Sequence, residues 1–187
     1  MKSDTAEKIA HAELIEGCRM NDRQAQEKIY DLYSHAMYNT SLRIVNDTAE
    51  AEDIMQESFI EAFEKISFFK GEGSFGAWLK RIVINNSINH LRRKKPVSSL
   101  EEEQTDVPDD SGEEKTYSEN LFCRLEEIRS GIKKLPENYK VVLSLCLLEG
   151  YDHEEIAGIL KTSYGNVRTR LSRAKQKLLH IIMQSRA

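Results

Sequence analysis

Near the end of the chain, Val167, Leu171, Ala174 and Leu178 recur at alternating intervals of four and three residues. At about 100° per residue they fall on one narrow helical stripe that must pack inward. The opposite side presents Gly165, Thr169, Ser172, Arg173 and Gln176, edged by Arg168 and Lys175 on one flank and by Arg170 and Lys177 on the other. Just upstream, Tyr151-Asp-His-Glu-Glu-Ile-Ala-Gly-Ile-Leu places Ile156, Ala157 and Leu160 on one side of a shorter helix, and Asp152 with Glu155 forms a D-x-x-E capping box that starts it. Ser163 can cap the second helix. Lys161 opens the turn between them where many such turns have glycine, and a left-handed backbone there costs a non-glycine residue about 1 kcal/mol.

A short helix, a four-residue turn and a long basic helix follow the order of a DNA-binding helix-turn-helix. From Lys161 to Ala187 there are seven basic residues and no acidic one. A small, hydrogen-bonding centre between basic edges suits a major groove, with the centre reaching base edges and the edges holding phosphates. A solvated cationic face is the plainer alternative; the capped first helix and the turn favour DNA.

The same periodicity appears earlier. Ile54, Met55, Phe59, Ala62 and Phe63 make Thr48–Glu64 an amphipathic helix, and between Asp47 and Glu64 there are seven acids and no base. Its polar face is either solvated or docked on a basic partner helix. A loop, Phe68–Gly76, then leads to a helix from Ala77 or Trp78 to Lys95. There Arg81, Asn85, Asn89 and Arg92 form one polar stripe, with Trp78 at its head and Arg92, Arg93, Lys94 and Lys95 at its foot. Buried asparagines at such spacing are costly unless hydrogen-bonded. Aromatic rings and guanidinium planes stack unpaired bases, amides read an exposed base edge, and a basic foot follows the backbone. Phe68, Phe69, Phe75, Arg81 and Asn85 fit that use. Equally, the aromatic residues fit a core, and the asparagines fit caps or cross-links between helices.

Few glycines (9) and prolines (3), with no alternating apolar run, predict an all-α chain. The segment 96–119 divides it. Residues 97–119 hold nine acids against Lys115, a net −8, so the remainder carries +4 although the chain totals −4. Pro96, Ser98, Ser99, Pro108, Ser111 and Gly112 break helices there, and the acids repel one another, predicting a flexible acidic linker. Two small helical domains result, 8–95 and 120–187, the second containing the helix-turn-helix. In it, Leu121–Leu135 is helical, and Pro136 starts a helix that buries Val141, Val142, Leu145 and Leu148 and ends at Gly150.

No apolar run predicts membrane insertion, and the first residues do not read as a secretion signal. Cys18, Cys123 and Cys146 make no paired motif, which fits reduced thiols in a cytoplasm. The five histidines are scattered and no phosphate-binding glycine loop or nucleophile elbow is present, so neither catalytic residues, a metal nor a cofactor is expected. A dimeric helix-turn-helix regulator whose first domain senses a ligand stays open on this reading, and an enzyme is disfavoured.

Ala51-Glu-Asp-Ile-Met-Gln-Glu-Ser-Phe, Gly73-Ser-Phe-Gly-Ala-Trp-Leu-Lys-Arg-Ile and Asn85…Leu91-Arg-Arg together resemble region two of bacterial RNA polymerase sigma factors. Leu135-Pro-Glu, Val141-Val-Leu, Glu154-Glu-Ile-Ala and Gly165-Asn-Val-Arg-Thr-Arg-Leu-Ser-Arg-Ala-Lys resemble region four. A chain with only these regions is similar to the extracytoplasmic-function subfamily. The resemblance implies a transcription initiation factor, a monomer when free, whose partners are core RNA polymerase (largest-subunit clamp helices and flap), promoter DNA and an anti-sigma factor. Glu52, Asp53, Gln56 and Glu57 would contact polymerase. Phe68, Phe69, Ser74, Phe75, Arg81, Asn85, Asn89, Arg92 and Arg93 would hold the opened −10 strand, with Trp78 supporting the loop. Ser163, Asn166, Arg168, Thr169, Ser172, Arg173 and Gln176 would read the −35 element. Asn89 stands where the family often has aspartate and Asn166 where threonine is usual, which bears on base preference.

Overall fold

Asp22, Asp47, Asp152 and Ser163 each begin a helix in the same way, a side-chain oxygen accepting a first-turn backbone N–H at 2.8–3.2 Å. The computed structural model describes residues 2–71, 73–94 and 121–185, with backbone alone for 2–10 and 121–126. Among them there is no strand. The chain divides into two compact units, Met1–Lys94 and Lys95–Ala187. The expected linker, 96–119, lies outside the described residues.

The first unit comprises α1 (Lys2–Arg19), α2 (Arg23–Val45), α3 (Thr48–Glu64), a 3-10 turn (Ile66–Phe68) and α4 (Phe75–Lys94). Helices α2, α3 and α4 pack on one another in pairs, and α1 lies against α2 and the 3-10 turn. Ile29, Met37, Met55, Phe59, Ala62, Leu79 and Val83 fill the core. Helix α4 begins earlier than the sequence suggested. Gly73 turns the chain with φ +86°, and Ser74 Oγ accepts the Ala77 N–H at 3.2 Å, so Phe75 already belongs to the first turn.

The second unit comprises α5 (Leu121–Lys134), α6 (Glu137–Leu143), a π-helical turn (Ser144–Leu148), α7 (His153–Leu160) and α8 (Tyr164–Gln184). Val167, Leu171, Ala174 and Leu178 are all buried, along with Val142, Leu143, Leu145 and Ile156. The π turn is a departure: the Glu149 N–H reaches back five residues to the Ser144 carbonyl at 3.0 Å. Its extra residue shifts the helical phase, and Leu148, expected inside, is only half-buried. Lys161 does take the left-handed backbone (φ 52°, ψ 47°) at the end of α7, where Thr162 N–H bonds to the Ala157 carbonyl at 3.0 Å.

Candidate nucleic-acid interfaces

The loop between the 3-10 turn and α4 is built on an aromatic pile. Phe69, Phe75 and Trp78 contact one another with ring centroids 5.5–5.6 Å apart. Phe69 and Phe75 are 6% and 3% exposed, whereas Phe68 is 73% exposed. The expectation that Phe69 and Phe75 stack bases is therefore corrected: their rings are spent in the core, because turning a hydrophobic pair out of a packed cluster costs its burial. Phe68 is the ring that faces outward. Ser74 is exposed, its oxygen engaged in capping α4.

On α4 the side chains of Arg81, Asn85, Asn89 and Arg93 are exposed and Arg92 is half-buried. The asparagine that turns inward is the one sequence reasoning passed over. Asn86 Nδ2 donates to Ser58 Oγ at 3.1 Å and to Glu61 Oε2 at 2.8 Å, hooking α4 to α3. Glu61 also takes the Lys65 ammonium at 2.6 Å. Those hydrogen bonds, Lys65 first, hold its carboxyl below the usual range against the opposing effect of burial. The hook fixes the rotation of α4, and about 100° of phase is all that separates the inward Asn86 from the outward Asn85. At the foot of α4, Lys94 pairs with Glu50, and His90 Nε2 lies 3.2 Å from the same carboxylate. Part of the expected basic foot is thus neutralised by α3.

On α3, Glu52, Asp53, Gln56 and Glu57 are exposed on the outer face, beside an exposed Ile60. Sequence reasoning missed Arg19 and Tyr33 as well. Arg19 donates to the Phe69 carbonyl at 2.6 Å, and Tyr33 packs on Phe75 with centroids 5.6 Å apart. Burial raises the Tyr33 phenol above its ordinary pKa. Contacts this distant in sequence leave no local periodic signal.

In the second unit α8 gathers Ser163, Asn166, Arg168, Thr169, Ser172 and Gln176 on exposed surface, with Arg173 half-buried. Several of these are engaged within the protein, Ser163 by accepting the Asn166 backbone N–H at 3.2 Å. Thr169 donates its hydroxyl proton to the Gly165 carbonyl at 2.9 Å, and Asn166 Nδ2 donates to Thr162 Oγ1 at 3.1 Å. Each keeps further capacity: Asn166 has its second amide N–H and its amide oxygen, and Thr169 its hydroxyl oxygen as an acceptor and its methyl group. Tyr164, also missed, is half-exposed at the first residue of α8, its ring against His153 at 5.7 Å.

Residues 29–97 match the family model for sigma-70 region 2, and residues 125–178 that for sigma-70 region 4. The chain is 31% identical over 174 residues to the RNA polymerase sigma-H factor of Pseudomonas aeruginosa, covering 89% of this chain and 90% of that protein. It is 31% and 30% identical over 182 residues to the ECF RNA polymerase sigma-E factors of Salmonella typhimurium and Escherichia coli, covering 92% of this chain and 94% of theirs. Among solved structures, the sigma factor RpoE in complex with the anti-sigma factor NepR from Bartonella quintana superposes with a TM-score of 0.56 at 18% identity, over 84% of this chain and 96% of that one. CnrH in complex with the cytosolic domain of CnrY gives 0.55 at 20%, over 91% and 96%. Both share the fold.

Two helical units, one ending in a helix-turn-helix, define a transcription factor of all-α build. The chain belongs to the sigma-70 family of RNA polymerase sigma factors, in its extracytoplasmic-function branch. It is a transcription initiation factor that directs RNA polymerase to promoters, and factors of this family are regulators of initiation and not enzymes in the ordinary sense. No helix among the described residues is long and apolar enough to cross a membrane.

Proposed function

We propose that this factor opens promoters by holding an unpaired −10 base on the exposed face of α4 while α8 reads the −35 duplex. The observation that carries the reading is the split between neighbouring asparagines: Asn86 is hooked inward, and Asn85 and Asn89 stand exposed in line with Arg81. Asn85 reads the base edge, Arg81 and Phe68 stack on its plane, and Asn89, Arg92 and Arg93 follow the backbone. Binding the melted strand better than the duplex shifts the equilibrium toward opening, as a differential binder must.

Residues 8–95 form the polymerase-binding and −10 domain, 96–119 the linker and 120–187 the −35 domain. Glu52, Asp53, Gln56 and Glu57 dock on the polymerase clamp helices, and the last domain meets the flap. Arg168 and Arg173 grip the −35 duplex, with Thr169, Ser172, Gln176, Asn166 and Ser163 between and above them. The factor works in the cytoplasm as a monomer when free, without catalytic activity or cofactor. Because similar folds occur in complexes with an anti-sigma factor, this chain too has such a partner.

The test is run-off transcription with core polymerase on fragments of the source genome, followed by permanganate mapping of unpaired thymines. Arg81→Ala and Asn85→Ala are expected to lose opening while duplex binding survives. Opening equal to that of the parent would refute the base-capture role.

A further inference from the structure

Helix α1 lies ahead of the stretch matched by the region 2 family model, which begins at residue 29, yet it holds the entrance of the loop that leads into α4 directly and the exit through Tyr33 of α2. At the entrance, Arg19 Nη2 donates to the Phe69 carbonyl at 2.6 Å across 50 positions of sequence. Glu16 steadies the guanidinium with an ion pair at 3.0 Å. Phe69 ends the 3-10 turn, where a carbonyl has no helical donor, and a charged donor is the stronger partner for it.

At the exit, the Tyr33 hydroxyl pairs with His11 Nε2 at 2.5 Å, and its ring lies over Gly76 so closely that a β-carbon there would come within 2.8 Å of it. The same ring packs on Phe75, which meets Phe69 edge to face at 5.5 Å. Between the two fixed ends, Gly71 (φ +80°) and Gly73 (φ +86°) have open space around them. The entrance is held from α1 and the exit from Tyr33 of α2, which His11 of α1 backs.

We propose that α1 and Tyr33 of α2 form a clasp, with Arg19 and Tyr33 as positioning residues for strand capture. They fix where the loop leaves and re-enters the core, so that Phe68 and the Arg81–Asn85 stripe meet the displaced strand in one arrangement. The inference rests on the base-capture reading of α4 given above.

The test uses holoenzyme assembled from core polymerase and the full chain, on a promoter identified by run-off transcription. Permanganate reactivity of unpaired thymines gives opening, and core affinity and thermal melting are measured alongside. Arg19→Ala is expected to reduce opening by about three- to tenfold, the scale of one partly exposed charge-assisted hydrogen bond. Arg19→Lys, which keeps a charged donor without the guanidinium fork, restores part of it. Tyr33→Phe, which keeps the ring and loses His11, gives a smaller reduction. Core affinity stays at the parent value, and Arg19→Ala melts lower by no more than that one bond accounts for, about 4–8 °C per kcal/mol. Asn85→Ala is the control for the underlying reading. If it abolishes opening while Arg19→Ala opens like the parent, the clasp is wrong and base capture stands. If Arg19→Ala loses core affinity as much as opening, Arg19 supports the fold generally and the proposal is overturned. If Asn85→Ala opens normally, base capture fails and the clasp falls with it.

Discussion

Replacing Asn86 by alanine tests whether one half-buried hook sets the face of α4. The change removes a hydrogen bond to the Ser58 hydroxyl, about 1 kcal/mol, and one to a carboxylate, about 1.5–3 kcal/mol. The Glu61 side chain is 32% exposed, so water recovers part of the second bond, and about 2 kcal/mol is left. In a unit of this size each kcal/mol moves the melting midpoint by about 4–8 °C, so Asn86→Ala should melt about 10 °C lower. Trp78 is the chain's single tryptophan and lies in the first unit, so its fluorescence reports that unit's transition alone. Asn85→Ala, one residue away on an exposed position, should melt within about 0.5 kcal/mol of the parent. The reasoning has a pH signature too. Glu61 titrates below an unfolded carboxylate, so its contribution is complete above the unfolded pKa of about 4.3 and fades as pH falls through the lower folded value. The gap between the parent and Asn86→Ala should narrow over that acid range. Equal melting of Asn85→Ala and Asn86→Ala, or a gap unchanged in acid, would refute the hook.

Three further outcomes are expected. Phe75→Ala should destabilise the first unit by about 3–5 kcal/mol, whereas Phe68→Ala leaves its melting unchanged and weakens promoter opening; denaturant unfolding beside permanganate mapping separates the two. Lys161→Gly should raise the melting midpoint of the second unit by about 1 kcal/mol equivalent, by relieving a left-handed lysine; calorimetry checks it. Arg168→Ala should lower duplex affinity evenly across sequences and reduce the salt slope of binding by about one, measured by titrating salt.

Helices α7 and α8 are legible because a regular apolar period coincides with a capping residue at the start, Asp152 and Ser163, and α3 is legible from its apolar period, its cap Asp47 being seen only in the structure. Period and cap are both local, so short windows of sequence contain them. The start of α4 was misplaced because a serine cap sits directly behind a glycine turn, and the apolar Phe75 reads as loop. The direction of each phenylalanine was not legible either. Phe68 and Phe69 are adjacent, and the 3-10 turn that sends one out and the other in is set by packing against Trp78 and Phe75. The stripe through Arg81, Asn85 and Asn89 followed from spacing, but the inward partner of α3 could not, since Ser58 and Glu61 lie 28 and 25 residues from Asn86. Arg19 shows the limit most clearly. A lone arginine at a helix end reads as a solvated charge until its carbonyl partner is seen.

One property of α8 bears on how promoter preference can change over generations. Its buried stripe fixes the phase of the helix, and its exposed positions, Thr169, Ser172 and Gln176 among them, carry no part of the core. Substitutions there fall in the class that shifts stability by about 0.5 kcal/mol or less. On the proposed −35 role, base preference is free to drift while the scaffold stays intact, and duplicated copies of such a chain can diverge in target without first acquiring stabilising changes.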